Sequence, residues 1–363
     1  MTESIGSDVR SYRQLLGALQ FGAIAWIVLN QFRDHLSLHA GEHFGLVAKG
    51  YIGAGLFFMT SGYLLGDKLL AVPSGGWAAY RSLLWQRLTF TYPLHLFVLL
   101  GLAGAIFVSG ASVAPFHQGS FRLADFPANL LLIQAWGPVR TDGWNFPSWL
   151  VSADWFAYLL LPIIGAFTLK SASVIQPIAV GLGSFIGLYI ATGAVGVLFT
   201  DMTTRVGALQ ALPAFLVGMG LWRLQRERPF SVRAGMTTAT LAAVWIIAAA
   251  TFRLSDLFIW PAFAPLIVGL AAAGDPQSAP WFSRALGWLG RIALAVQLTY
   301  LPVEMAYFRA VHIIDPNPEG VRAWLFLAGV FPAILAGAAI AYHGVQRPIW
   351  LRTRGRLARP FQP

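Results

Sequence analysis

Long apolar stretches recur along almost the whole chain and are separated by short polar segments. A helix needs about 20 apolar residues to cross a bilayer, because a rise of 1.5 Å per residue must cover roughly 30 Å. The pattern predicts about ten such helices, at residues 15–32, 46–66, 91–110, 148–168, 174–199, 205–222, 235–252, 256–273, 287–308 and 323–343. We therefore expect an all-α integral membrane protein whose helices form one bundle around a polar interior.

The polar segments indicate how the chain is organised. The stretch Phe126–Trp136 is amphipathic but too short to span a bilayer, so we expect it to lie in the interface or to re-enter the membrane. Clusters of Pro, Gly, Asn and Asp separate most spans, and no polar linker divides two cores. We therefore predict a single transmembrane domain over residues 1–363, with a polar N-terminus at 1–14 and a basic tail at 346–363.

Composition supports the membrane assignment and narrows the chemistry. Charged residues make up 11% of the chain, whereas a soluble domain carries about 25%. So little charge cannot cover a globule with polar surface, which makes membrane lipid the expected surrounding partner. The chain has no cysteine, which excludes disulfides, thiolate metal sites and a cysteine nucleophile. The seven histidines show no metal-ligand pattern, so we expect no metal.

The basic residues are distributed unevenly along the chain. If the N-terminus lies inside, 17 of the 25 Lys and Arg fall in cytoplasmic segments, most densely around Arg223–Arg233 and in the tail. This bias predicts a multi-pass protein of the inner membrane with both termini in the cytoplasm, and an even number of spans agrees with it. The net charge of +10 is then a topology signal and a contact for anionic lipid, so we expect no nucleic-acid binding.

Five segments carry motifs, in this order: Gly53–Gly62, Trp85–Leu94, Pro147–Pro162, Leu289–Pro302 and Val345–Pro348. Together they resemble the membrane-bound acyltransferase 3 family, whose patterns include G-V-x-L-F-F-V-L-S-G, R-R-L-x-R-I-Y-P-L, P-S-W-S-L-S-x-E-W-x-x-Y and V-E-R-P. The resemblance implies ten or more membrane helices and the transfer of acyl groups onto sugars of the cell envelope.

The resemblance also implies roles for individual residues. The donor would be acetyl-CoA or another acyl-CoA, whose phosphates Arg87 would grip with Tyr92 and Ser61 nearby. Asp154 stands where the family has glutamate, and with Ser152 it would position the reactants. The acceptor would be a glycan or a lipid-linked saccharide, contacted by the aromatic residues of the same motif, Trp149, Trp155 and Tyr158. The alternatives are a structural salt bridge for Asp154, to Arg87 or to Arg205, and lipid headgroup contact for Arg87.

The first helix departs from the family pattern. The pattern D-x-L-R-x-x-A, with a histidine eleven residues after the arginine, aligns on Gly17, Gln20 and Gln31. The family's histidine is taken to be the base that accepts the hydroxyl proton, but glutamine does not titrate near neutral pH and cannot be a general base. Gln20 and Gln31 share a helix face, where they would line a transfer path or make a helix–helix hydrogen bond. His35, one turn further on, is either a displaced base or a loop histidine.

Other departures lie in the later motifs. Phe90 replaces the second arginine of the third-helix motif, and Gln346 replaces the late glutamate. The missing histidine favours a catalytically degenerate family member that binds a glycan or partners an active transferase. The retained Trp149–Asp154 motif favours the enzyme, which is the leading hypothesis: transfer of acetyl from acetyl-CoA to a hydroxyl of an envelope or lipid-linked polysaccharide. A transporter or flippase of a lipid-linked sugar is the third alternative, although the sequence shows no inverted repeat that would favour it.

Overall fold

The computed structural model describes residues 12–32, 45–109, 121–137, 143–196, 203–275 and 280–354, and none of these residues is in a β-strand. The α-helices are α1 (Arg13–Gln31), α2 (Gly45–Ala48), α3 (Gly53–Leu69), α4 (Ala71–Ser109), α5 (Phe126–Leu130), α6 (Trp149–Leu159), α7 (Leu161–Lys170), α8 (Ile175–Ala194), α9 (Thr203–Glu227), α10 (Val232–Thr251), α11 (Asp256–Ile259), α12 (Phe263–Ala273), α13 (Pro280–Ile314), α14 (Gly320–Ala341) and α15 (Arg347–Arg354). A π-helical turn, Tyr342–Gln346, joins the last two helices. The predicted all-α membrane fold is confirmed.

Seven segments of the described chain are long and apolar enough to cross a membrane: Gly76–Val108, Ile175–Ala194, Val206–Glu227, Val232–Thr251, Asp256–Ala273, Trp281–Ile314 and Gly320–Thr353. The pair α6 and α7, bent by 58°, is an eighth candidate. The predicted count of about ten is not confirmed, although a helix lies at each predicted position. The two remaining helices are marginal, because several amide side chains interrupt the 19 residues of α1 and α3 has only 17 residues.

The chain divides into two compact units, each assembled from separate stretches. The first unit consists of Met1–Tyr80, Phe156–Met202 and Ala208–Ala293. The second unit consists of Arg81–Trp155, Thr203–Gly207 and Leu294–Pro363. The single transmembrane domain expected from the sequence stays a prediction.

In the first unit, the start of α1 is held by Asp275, a residue distant in the sequence. Asp275 accepts hydrogen bonds from the backbone N–H of Leu15 at 2.9 Å and of Gln14 at 3.4 Å, two donors that a helix start otherwise leaves unpaired. Burial raises the pKa of Asp275, and the two N–H groups partly offset this because they stabilise the carboxylate. One turn later the backbones of α1 and α13 touch, since a Cβ on Gly290 would lie 2.8 Å from the carbonyl carbon of Gly17.

The C-terminal end of α3 is fixed by Asp67. Its carboxylate accepts hydrogen bonds from the Tyr12 hydroxyl at 2.8 Å, the Arg13 guanidinium at 3.3 Å and the Trp222 indole N–H at 2.9 Å. Burial raises the pKa of Tyr12, and the neighbouring Asp67 carboxylate raises it further. Because these donors come from the start of α1 and from α9, one carboxylate ties three helices of the first unit together.

In the second unit, residues 121–137 pack against α4. The Tyr92 hydroxyl donates to the carbonyl oxygen of Leu130 at 3.0 Å, and His95 Nε2 donates to the carbonyl oxygen of Asn129 at 2.8 Å. Both donors lie near the middle of the candidate span Gly76–Val108. These contacts fix the segment against α4, and whether it lies in the interface or re-enters the membrane stays a prediction.

Candidate functional site

A buried ion pair joins α4 and α6 in the second unit. Arg87 donates from Nε to Oδ2 of Asp154 at 2.7 Å, and its Nη2 contacts the same oxygen. The Asp154 side chain is 1% exposed and that of Arg87 is 19% exposed. A carboxylate buried to this degree is costly unless an opposite charge accompanies it, so each residue stabilises the other in its position. The structure thus shows the salt bridge to Arg87 that the sequence offered as the structural alternative for Asp154, and it brings two predicted site residues into direct contact.

Only one carboxylate oxygen of Asp154 takes part in this pair. Oδ1 is buried, and no described residue donates a hydrogen bond to it. An ionised carboxylate can accept about four hydrogen bonds, so Oδ1 has room for a hydroxyl donor. The pair therefore presents a fixed, charged acceptor to any hydroxyl group that reaches it.

Ser152 organises the neighbouring segment. Its hydroxyl donates to the carbonyl oxygen of Leu132 at 2.8 Å and accepts from the backbone N–H of Ala135 at 3.1 Å. The indole N–H of Trp136 donates to the carbonyl oxygen of Ser152 at 3.0 Å. These bonds fix residues 132–136 against α6, and direct contact of Ser152 with a reactant stays a prediction.

The predicted aromatic residues differ in their surroundings. Trp149 is buried and lies against Gly207, where an added Cβ would be 2.8 Å from Cε3 of the indole. The lack of a side chain at Gly207 therefore makes room for the ring. Tyr158 is buried and Trp155 is half-buried, while the Tyr92 hydroxyl donates to the carbonyl oxygen of Leu130. Substrate or donor contact by these residues stays a prediction.

Gln20 and Ser61 meet in the first unit. Gln20 Nε2 donates to Ser61 Oγ at 2.8 Å, which is a helix–helix hydrogen bond between α1 and α3. Gln31 is half-buried in the last turn of α1. The preceding Asn30 is buried, and its amide donates to the carbonyl oxygen of Ala48 at 3.0 Å. His35 lies outside the described residues.

A polar cluster that the sequence reasoning missed lies in the same unit. Lys49 Nζ is 2.6 Å from Oδ1 of Asp256, and the Tyr51 hydroxyl is 2.9 Å from both carboxylate oxygens. Because Asn30 contacts Ala48, the cluster lies close to the end of α1. Lys49 and Asp256 are 207 positions apart, and no motif links them, so the sequence held no signal for this pair.

Two departures from the family pattern contact each other in the second unit. The Gln346 amide donates to the carbonyl oxygen of Phe90 at 3.0 Å. The Phe90 ring meets Trp350 edge-on, with the ring centroids 6.1 Å apart. Gln346, Phe90 and Trp350 therefore form one local contact.

The predicted site residues are distributed over both units. The first unit holds Gln20, Gln31, Ser61 and Tyr158, and the second holds Arg87, Tyr92, Trp149, Ser152, Asp154 and Trp155. Within the described part of the chain, no group of three His, Asp or Glu side chains could hold a metal ion.

An apolar groove of about 1000 Å³ opens between α4, α13 and α14 in the second unit. Its lining includes Phe97, Leu102, Val303 and Gly337, with the charged Arg309 as an exception. Ligand pockets usually measure roughly 300–1000 Å³, so this groove has room for a long apolar chain.

Comparison with known proteins adds independent information. The profile of a family described as an acyltransferase domain matches residues 18–343. Acyltransferase MdmB of Streptomyces mycarofaciens is 33% identical over 121 residues, which cover 31% of this chain. The match spans only 28% of the length of that relative. No solved structure matches the chain.

Proposed function

Because this chain belongs to the acyltransferase 3 family, we propose that it transfers an acetyl group from acetyl-CoA to a hydroxyl of an envelope or lipid-linked polysaccharide. The observation that carries the proposal is the buried Arg87–Asp154 ion pair, in which side chains from two family motifs meet. Ionisable groups inside membrane spans are costly and are usually retained for function.

The proposed reaction forms an ester bond to the acceptor and breaks the thioester bond of the donor. The acceptor oxygen attacks the thioester carbonyl carbon, the thiolate leaves, and the hydroxyl proton ends on the thiol of CoA. Asp154 Oδ1 accepts a hydrogen bond from the acceptor hydroxyl and orients its oxygen, since no described residue occupies that atom. Arg87 holds the carboxylate in place and adds positive charge for the phosphates of the donor.

Other residues have supporting roles in this proposal. Ser152 and Tyr92 fix residues 121–137 beside the Arg87–Asp154 pair, while Trp149 and Trp155 contact the acceptor. For the first unit, contact of Tyr158 with the acceptor, of Ser61 with the donor, and of Gln20 and Gln31 with the transfer path stays a prediction. Because Gln31 cannot take a proton, the base is a group of the substrate or His35. The apolar groove accommodates the lipid chain of a lipid-linked acceptor.

The hydrogen bond between Gln20 and Ser61 supports a second candidate function. A neutral glutamine stands where the family pattern has arginine, and Ser61 already engages its amide. In this candidate the protein binds a glycan or partners an active transferase without catalysing transfer itself.

Radiolabelled acetyl transfer from acetyl-CoA to membrane glycans distinguishes the two candidates. We expect the wild type to label the glycans, and Asp154→Asn to label them roughly ten- to a hundredfold more slowly, the loss expected for a hydrogen bond to a charged group. Asp315→Asn is the matched control, because it breaks another Asp–Arg pair, to the exposed Arg322. If the folded wild type does not label the glycans, the second candidate is favoured. If Asp154→Asn labels them as fast as the wild type, the ion pair is not part of the functional site.

We also propose that the protein lies in the inner membrane with both termini in the cytoplasm. The support is the concentration of Lys and Arg around Arg223–Arg233 and in the tail. A reporter enzyme fused after Pro363 should then be active only in the cytoplasm. Reporter activity on the opposite side of the membrane would contradict this orientation.

A further inference from the structure

Three buried amide side chains converge on one short segment of the second unit. The segment is residues 145–148, at the start of α6, and the side chains belong to Gln134, Asn145 and Gln297. Gln134 is 1% exposed, and Asn145 and Gln297 are completely buried. Gln297 lies midway along the candidate span Trp281–Ile314, where water is scarce.

The hydrogen bonds of this cluster fix the orientation of each amide. Asn145 donates from Nδ2 to the carbonyl oxygen of Leu298 at 3.0 Å, and Gln297 donates from Nε2 to the carbonyl oxygen of Pro147 at 2.9 Å. A carbonyl oxygen can only accept, so neither amide can be turned around. Ser148 donates to the carbonyl oxygen of Asn145 at 2.7 Å, so its hydroxyl must accept from Gln134 Nε2 at 2.8 Å.

Every amide in the cluster therefore uses its nitrogen and leaves its oxygen unused. The oxygens Gln134 Oε1, Asn145 Oδ1 and Gln297 Oε1 are buried, and no described residue donates to any of them. An unpaired buried acceptor costs about 1–3 kcal/mol, and native proteins rarely leave such groups without a donor. Three of them beside one segment indicate a site that an external donor completes.

We infer that these three amide oxygens bind hydroxyl groups of the sugar that accepts the acyl group. The three amide oxygens carry no formal charge, so a neutral hydroxyl donor can pair with them without leaving a buried charge unbalanced, whereas a cation could not. A sugar ring offers several hydroxyl donors on adjacent carbons, which matches three unused acceptors beside one segment. Trp149, which follows Ser148 directly, belongs to the acceptor contacts of the proposed function, on which this inference rests.

Binding is tested without catalysis by following the thermal unfolding of the purified full-length protein. The probe is the glycolipid fraction extracted from the membranes of the source organism, compared with the same fraction after periodate has cleaved its vicinal diols. We expect the intact fraction to raise the melting temperature and the oxidised fraction to leave it unchanged. Gln297→Met should need roughly tenfold more of the intact fraction for the same shift, the effect of one lost hydrogen bond.

Gln346→Met is the matched control. Gln346 is also completely buried, its amide also donates to a backbone carbonyl oxygen, at 3.0 Å, and its oxygen also lacks a described donor. This variant should respond to the glycolipids as the wild type does. If Gln297→Met fails to fold, Gln134→Met replaces it, because Gln134 donates only to a serine hydroxyl.

The outcomes separate this inference from the proposed function. Stabilisation of the wild type that Gln297→Met weakens, without any acetyl transfer, would overturn the proposed transfer and leave the cluster as a glycan-binding site. Acetyl transfer with the same acceptor KM in wild type and Gln297→Met would overturn the cluster alone. Equal stabilisation of wild type and Gln297→Met, or none of the wild type, would mean that the oxygens hold buried water only and would overturn the inference.

Discussion

Arg87→Ala is expected to destabilise the folded protein by about 3–5 kcal/mol, because it leaves a buried carboxylate without its counter-charge. The Asp154 side chain is 1% exposed, so its carboxylate is shielded from most of the water that would otherwise stabilise the charge. Thermal unfolding of the purified protein, followed by tryptophan fluorescence, measures the loss as a lower melting temperature.

The double variant Arg87→Ala/Asp154→Asn tests the cause. Removing both charges should recover most of the stability, because a neutral amide is far less costly to bury than an unpaired carboxylate. The stability of Arg87→Lys should lie between that of Arg87→Ala and that of the double variant, since lysine keeps the charge but lacks the planar fork of arginine. Equal losses in the single and double variants would show that the two residues are not energetically coupled.

The same double variant reports on donor binding without the stability loss. If Arg87 holds the phosphates of acetyl-CoA, affinity for acetyl-CoA should fall by about 1–3 kcal/mol, the scale of a lost charge-assisted contact. Unchanged affinity in folded protein would restrict Arg87 to pairing with Asp154 and contacting lipid.

Slow acetyl transfer is the second expected result if Gln31 occupies the position of the family's base, as the resemblance of the first helix implies. A general base typically contributes 10²–10⁴-fold, or about 3–5 kcal/mol of the barrier. Gln31→His alone should recover little of this rate contribution, since Gly17 and Gln20 provide neither the acid nor the arginine of the family pattern. The triple variant Gly17→Asp/Gln20→Arg/Gln31→His should transfer faster than the single one in the radiolabelled assay.

The structure identifies where the triple variant is at risk. A Cβ on Gly17 would lie 3.4 Å from Cα of Gly290, so an aspartate there must fit between α1 and α13. Gln20→Arg removes the hydrogen bond to Ser61 and adds a charge that costs a few kcal/mol if unpaired. Melting temperatures must therefore accompany the rates. If the wild type transfers acetyl quickly and His35→Ala abolishes the transfer, the base lies one turn beyond Gln31. If the transfer is fast and depends on neither position 31 nor position 35, the chemistry belongs to another helix.

Most of the helices could be predicted because the signal for a membrane span is local. Length and apolar content are properties of one continuous segment, and they located every candidate span from Gly76 to Thr353. The first helices are harder, because their polar residues are satisfied by partners distant in the sequence. Gln20 and Asn30 lower the hydropathy of α1, yet Ser61 and Ala48 accept their hydrogen bonds.

The candidate site could be predicted only where motifs mark it. Arg87 and Asp154 each belong to a motif, so their pairing was among the alternatives that the sequence offered. The Lys49–Asp256 pair joins residues 207 positions apart that no motif connects. The cluster around Gln297 was also hidden, because only the folded arrangement decides which amide oxygens find a donor.

If the ancestor carried the arginine at position 90 and the glutamate at position 346 of the family pattern that the sequence resembles, the contact between Phe90 and Gln346 bears on the order in which the two charges were lost. Gln346 donates to the main-chain oxygen of residue 90, which is present whatever side chain residue 90 carries. A glutamate at position 346 beside Phe90 would instead bury a carboxylate against that oxygen, with no arginine to neutralise it. An arginine at position 90 beside Gln346 is less costly, since its long stem lets the charge reach polar surroundings. The change to glutamine is therefore expected to have come first, and homologues with arginine at position 90 and glutamine at 346 are the expected ancestral intermediates.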